Sequence, residues 1–307
     1  MRVLVTGGAG FIGSHLAETL LRRGDEVRVV DNFATGRREN VLDLDGVEIL
    51  EGDLRSYERA HAAVRDCEIV FHQAALGSVP RSVQDPLTTN ETNVTGTLNV
   101  LLAARDAGVR RVVFASSSSI YGRNTELPKR EAMRPLPMSP YAVSKLAGET
   151  YCQAFSSVFG LETVALRYFN VFGPRQDPTS QYAAVIPKFI TAMAAGERPV
   201  IFGDGDQSRD FTFIDNVVEA NLLAAETANG VGETFNVAVG ERATLNETVS
   251  ILSDLLGVRV AADHRPERPG DVKHSLADIS RGRELLGYEP KVGFREGLER
   301  TIPFFAG

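Results

Sequence analysis

A short β-branched run, Arg2 to Thr6, opens the chain, and runs of the same kind return at Val27 to Asp31, Val47 to Leu50, Ile69 to His72, Val112 to Ala115 and Thr163 to Arg167. Apolar residues that run on without alternating mark strands buried on both faces, as in a parallel sheet. Between them, Phe11 to Arg22, Ser56 to Val64, Asn90 to Ala107 and Tyr141 to Phe159 read as helices. Gly24, Gly108 and Gly160 stand where a left-handed cap is wanted. Strand, helix, strand in repetition predicts an α/β fold with a doubly wound, Rossmann-type parallel sheet. After residue 168 the pattern loosens. Turns at Gly173-Pro174, Asp204 to Asp206 and Arg265 to Asp271 separate helices predicted near Ala184 to Ala195, Asn216 to Thr227, Leu245 to Leu256 and Asp278 to Leu286. With no linker or repeat, residues 1–168 read as a sheet domain that receives segments from the second half, and residues 169–307 mainly as a smaller C-terminal α/β cap.

Composition narrows the function. At 307 residues the chain is near the limit of what one core serves, which fits a sheet with a cap. Lys and Arg number 33 against 40 Asp and Glu, a net charge of −7, and the basic residues are scattered, so nucleic acid is not an expected partner. Cys67 and Cys152 lie far apart and near no His at ligand spacing, which predicts neither a disulfide nor a metal site and suits a reducing cytoplasm. Apolar runs are broken by charge before the roughly 20 residues a membrane span needs, and the start enters a strand, not a signal peptide. A soluble cytoplasmic protein is expected.

The first strand runs straight into Thr6-Gly7-Gly8-Ala9-Gly10-Phe11-Ile12-Gly13, which fits GxGxxG from Gly8 and GxxGxxG from Gly7. Glycines there allow a tight turn, close approach of backbone to a pyrophosphate, and packing of helix on strand, with the helix dipole facing the phosphates. Asp31 ends the second strand, where a carboxylate takes the adenosine ribose hydroxyls and repels a 2′-phosphate. NAD is therefore predicted over NADP, although Arg37 and Arg38 stand a few residues on. Asp53, after the third strand, either meets the adenine or simply caps the next helix.

The fifth strand runs out into Ser116-Ser117-Ser118-Ser119-Ile120-Tyr121-Gly122, and in such sheets ligands bind beyond the carboxyl ends of the strands. Later, Ser139-Pro140-Tyr141-Ala142-Val143-Ser144-Lys145 opens a helix, placing Tyr141 and Lys145 on one face. A tyrosine of pKa about 10 is only about one part in a thousand phenolate near pH 7, a gap of roughly 4 kcal/mol. A lysine and an oxidised nicotinamide about 4 to 5 Å away would each contribute roughly 3 to 4 kcal/mol at an effective dielectric near 20, so binding the cofactor would switch on a base. The bland alternative is a Tyr and a Lys that merely share a helix surface.

These motifs, with His72-Gln73-Ala74-Ala75 and Arg167-Tyr168-Phe169-Asn170-Val171-Phe172-Gly173-Pro174-Arg175, resemble the extended short-chain dehydrogenase/reductase family, and within it the nucleotide-sugar 4-epimerases, over essentially all 307 residues. The resemblance implies Tyr141 as base, Lys145 lowering its pKa and holding the nicotinamide ribose, and Ser117 bonding the reacting hydroxyl. It extends cofactor contact to Asn32, Leu54, Ala74, Ala75 and Asn93, and makes residues 1–168 the NAD-binding domain and 169–307 mainly the UDP-sugar-binding cap. Asn170, Arg209 and Arg268 would hold the diphosphate, Asp271 the uridine ribose, and Ser78, Ser118, Ser119, Val185 and Phe202 further parts of the substrate.

Relatives that dehydrate or decarboxylate place a carboxylate just after the strand-end serine; here Ser118 and Ser119 stand there. That predicts an NAD-dependent UDP-hexose 4-epimerase. Ser275 matches a position that is a bulky tyrosine in epimerases restricted to unacetylated sugars and small in those similar to the N-acetylhexosamine epimerases, so both sugar series are expected as substrates. UDP-glucuronate is the alternative substrate, although Asp177 stands where uronate epimerases similar to this chain carry Arg. A non-catalytic NAD-binding sensor of the same fold is the alternative from another class. A homodimer is expected because Val94, Leu98, Leu101 and Leu102 on one helix, and Leu146, Tyr151, Phe155 and Val158 on another, offer more apolar surface than one sheet face can cover; the alternative is a monomer whose cap covers it.

Overall fold

The β-branched runs form parallel strands in a computed structural model that describes residues 1–178, 185–267 and 273–306. They are β1 (Arg2–Thr6), β2 (Glu26–Asp31), β3 (Glu48–Glu51), β4 (Ile69–His72), β5 (Arg111–Ser117) and β6 (Glu162–Tyr168). A seventh, β7 (Thr234–Val237), was not predicted; it returns from the second half to pair beside β6. The order β7-β6-β5-β4-β1-β2-β3 is parallel throughout. The chain winds from β1 to one edge, then restarts at β4 and winds to the other. The connections after β1 and β4 therefore part, and this opening is where a doubly wound sheet takes its ligand.

Alternate residues of each strand feed opposite faces. Val3 and Val5 join a core with Leu16, Ala17 and Val217, while Leu4 joins another with Val100, Leu101 and Phe155. The helices on these faces include α1 (Phe11–Arg22), α2 (Tyr57–Val64), α3 (Gly96–Asp106), α4 (Pro140–Phe159) and α5 (Ile214–Glu226). Gly24, Gly108 and Gly160 follow with φ of 84°, 71° and 70°, as expected. The helix expected over Asn90 to Ala107 begins earlier. Pro86 starts it, with Asp85 accepting from Thr88 N, and a π turn at Glu91–Thr95 precedes α3.

In the cap, helices run Val185–Ala194, Leu245–Leu256 and Ser280–Leu286, with an unpredicted Phe294–Ala306. Residue 184 of the expected first cap helix lies outside the described residues. Leu245–Leu256 begins with a capping box from Thr244 and Glu247. Among the described residues no helix is long and apolar enough to cross a membrane.

Candidate active site

A cleft of about 990 Å³ opens at the carboxyl ends of β1, β4 and β5, lined by residues of the sheet and of the cap. Its floor begins at the glycine turn. Gly7 has φ 65°, and a Cβ there would lie 2.7 Å from Ala74 Cα; a Cβ on Gly13 would lie 2.2 Å from the Gly7 carbonyl. No side chain caps α1 at Gly10, and its first turn holds no acid, so the amides at Phe11, Ile12 and Gly13 present an uncompensated positive end. A pyrophosphate fits that set.

Asp31 lies at the end of β2, its Oδ2 accepting from Ala9 N at 3.0 Å and its Oδ1 from Phe33 N at 2.8 Å. Burial pushes its carboxyl up, against these bonds. The two arginines that left NADP open have acidic partners. Arg37 pairs with Asp177 at 2.9 Å, while Arg38 pairs with Glu51 at 2.6 Å and stacks 3.9 Å from the Phe33 ring centroid. Asp53 accepts from Arg55 and from Asn32, and the guanidinium holds it at about 2. It is not the cap of α2, which is Ser56. Asn32, Asp53, Leu54, Ala74 and Ala75 line the cleft.

Asn93 is buried in the π turn. Its amide clamps the Leu76 backbone, accepting from N at 2.8 Å and donating to O at 3.3 Å. Leu76 in turn lines the cleft.

Ser117 ends β5 with its hydroxyl accepting from Ser119 N at 3.2 Å, and Ser118 to Tyr121 form one 3₁₀ turn. Helix α4 starts with Ser139 accepting from Ala142 N and Pro140 in its first turn, which aims Tyr141 and Lys145 at the strand end. Burial raises the Tyr141 phenol and the Ser117 hydroxyl lowers it. The effect expected from Lys145 is not expressed here. Its ammonium donates to the Ala115 carbonyl at 2.7 Å, and burial lowers it to about 8.

Under α4, Glu149 and Arg167 form a buried ion pair at 2.5 Å, and Glu149 also accepts from Ser116 Oγ at 2.8 Å. Arg167 donates on to the Tyr121 hydroxyl at 2.9 Å. The serine strand end is thus braced from below.

On the cap side, Asn170 has φ 35° and donates to the Asp210 carbonyl at 3.0 Å. Arg209 rests a guanidinium nitrogen on the Ser208 and Lys273 carbonyls, at 3.0 and 3.1 Å. Ser78, Ser118, Ser119, Asn170, Arg209 and Ser275 all line the main cleft. Val185 and Phe202 line an adjoining cavity of about 270 Å³ that shares Asn170 and Arg209 with it. Arg268 and Asp271 lie outside the described residues. The structure adds Arg81, Lys129 and His274 to the walls. Lys129 and His274 carried no signal in the sequence, because backbone pairings of Lys129 with Leu276 and of Ser208 with Lys273 and Ser275 bring them in.

Comparison with known proteins agrees with this geometry. The NAD dependent epimerase/dehydratase family matches residues 3–238. A UDP-glucose 4-epimerase of Mycolicibacterium smegmatis is 40% identical over 99% of this chain and 98% of its own. The UDP-N-acetylglucosamine 4-epimerase from Methanobrevibacter ruminantium, solved with UDP-N-acetylmuramic acid, is 43% identical with a TM-score of 0.94, covering 99% of this chain and 97% of its own. The Thermus thermophilus UDP-glucose 4-epimerase, solved with NAD, is 41% identical with a TM-score of 0.92, covering 100% and 99%. The chain belongs to the NAD dependent epimerase/dehydratase family, of extended short-chain dehydrogenase/reductase type. Its cofactor is NAD.

Proposed function

We propose that the chain is a UDP-sugar 4-epimerase that interconverts UDP-N-acetylglucosamine and UDP-N-acetylgalactosamine and also accepts UDP-glucose and UDP-galactose. The observation that carries the sugar assignment is Ser275 in the cleft wall, its amide donating to the Ser208 carbonyl at 3.0 Å beside Arg209. An N-acetyl group adds three heavy atoms that must fit in both ring orientations, and a serine leaves room that a phenol would fill.

In this reading the sheet domain, residues 1–168 with β7 and α5, holds NAD, and residues 169–307 mainly hold the UDP-sugar. Gly7, Gly10, Phe11, Ile12 and Gly13 take the pyrophosphate, and Asp31 takes the adenosine ribose. Bound NAD supplies the acceptor, and then the donor, of the C4 hydride. The Tyr141 phenolate removes the C4 hydroxyl proton and later returns it, while Ser117 orients that oxygen. Lys145, turning from Ala115, holds the nicotinamide ribose and favours the phenolate. Arg209 and Asn170 grip the diphosphate. Around the hexose, Ser78, Ser118, Ser119 and Ser275 offer short hydroxyls, so the ring can turn over, and the positions just after Ser117 supply no carboxylate for elimination. Ser119 Oγ is buried with no partner among the described residues and lines the cleft, ready for a sugar hydroxyl.

UDP-glucuronate is a second reading, because Arg37 pairs with Asp177 and so tempers the carboxylate that would repel a uronate. A sensor without catalysis is disfavoured because Ser117, Tyr141 and Lys145 all line one cleft, with Ser117 hydrogen bonded to Tyr141. The test is incubation with each UDP-sugar and direct product analysis, for the native chain and for Ser275→Tyr. That variant should lose turnover of the acetylated pair and keep the other; equal loss on both pairs would refute the gate.

We also propose a homodimer, with a corrected surface. Leu101 and Phe155 are buried in the subunit's own core. Val79, Val83 and Leu87 before the π turn, and Val143, Val158 and Phe159 on α4, are the exposed large apolar side chains on these elements. Both cysteines are buried and free, which suits the reducing cytoplasm we propose as the compartment.

A further inference from the structure

His72 is fully enclosed at the end of β4, a titratable group with no part in the chemistry above. Ala74 N donates to Thr6 Oγ1 at 3.1 Å, and that oxygen lies 2.7 Å from His72 Nδ1. On the other side, His72 Nε2 lies 2.9 Å from Thr97 Oγ1, which donates to the Asn93 carbonyl at 2.6 Å. Asn93 Nδ2 donates to Ser144 Oγ at 3.0 Å, and Ser144 donates to the Tyr141 carbonyl at 2.8 Å. Each hydroxyl has one proton to give. The Thr97 proton is committed to Asn93, so Nε2 must be the protonated nitrogen of the ring, and Nδ1 must accept from Thr6. One tautomer satisfies every bond, and every donor points from the cofactor turn towards α4.

We infer that His72 is a positioning residue, the middle of a hydrogen-bond chain that fixes the Tyr141 end of α4 to the strand ends carrying the cofactor cleft. Its members Thr6, His72, Asn93, Thr97 and Ser144 are all buried, so water cannot replace a lost link. Apolar packing between α4 and the sheet resists separation but has no direction, whereas this chain fixes register. Register matters because a misplacement of about 1 Å can cost about 10²-fold in rate. Complete burial and the nearby Lys145 ammonium hold His72 neutral, with a pKa of about 3, which keeps Nδ1 an acceptor. Asn93 adds a branch, since it also clamps Leu76 on the cleft wall.

The inference rests on the reading of Tyr141 as base, so its test needs a readout apart from turnover. Thr6→Val and Thr97→Val keep shape and remove one hydroxyl on either side of His72, outside the cleft lining. Each should lower kcat about 10-fold with the KM for UDP-sugar nearly unchanged, and the double variant should be no worse than the more damaging single. Hydrogen exchange in the peptide spanning Tyr141 to Lys145 should rise in Thr6→Val, with or without added NAD. Exchange that changes only around Thr6 and Ala74, or losses in kcat that multiply in the double variant, would overturn the inference. A native chain that epimerises no UDP-sugar would instead defeat the functional reading and leave the exchange result to decide this one.

Discussion

A single oxygen atom separates tyrosine from phenylalanine, and at position 141 the proposed chemistry rests on it. Tyr141→Phe should fold, bind NAD and UDP-sugar, and lose at least about 10³-fold in turnover, measured by product formation at saturating substrate. His72 makes a second prediction, in stability. The unfolded chain protonates an imidazole near pH 6.5, whereas the folded chain does so only at about 3. Between those values the unfolded state holds more protons, so stability falls as pH is lowered through the window, by up to about 1.4 kcal/mol per pH unit. Thermal melts of His72→Gln from pH 7 to 4 should show a flatter dependence than the native chain. Most of the site was legible at this scale: Ser117, Tyr141 and Lys145 stand in recognisable settings at strand and helix ends. What the sequence does not show is that Asn93 sits in a π turn that aims it at Leu76.

Helices and strands show where pattern reading reaches its limit. Helix α1 came out at Phe11–Arg22 as expected, because glycine turn, apolar spacing and basic end agree. Strand β7 was missed because Thr-Phe-Asn-Val interleaves polar residues that are buried; Asn236 accepts from the Tyr121 hydroxyl at 2.7 Å. The helix Phe294–Ala306 was missed with Pro303 inside it. Element contacts also predict what breaks. Gly13→Ala would drive a methyl against the Gly7 carbonyl and tilt α1, an overpacking cost of about 1–3 kcal/mol. NAD content after gel filtration should drop sharply in that variant. Glu149→Gln would leave Arg167 charged and buried under α4, so a loss of about 3–5 kcal/mol is expected in denaturant titration.

Across the whole molecule, sedimentation at micromolar concentration should find a dimer, and Leu87→Asp should convert it to monomer while keeping the fold. The sequence pattern indicates the doubly wound sheet and segments returning to it from the second half, but not which one; it is Thr234–Val237 that supplies the last strand and ties cap to sheet. The Arg37–Asp177 pair, which joins two segments of the cleft wall, has side chains 46% and 41% exposed. An exposed pair answers to ionic strength, since the screening length falls to about 3 Å at 1 M salt. If the bridge slows escape of the nucleotide, the off-rate of NAD becomes a function of the buffer: a wash in strong salt should strip the enzyme, and added NAD should restore it. Asp177→Asn should lose NAD quickly at any salt concentration.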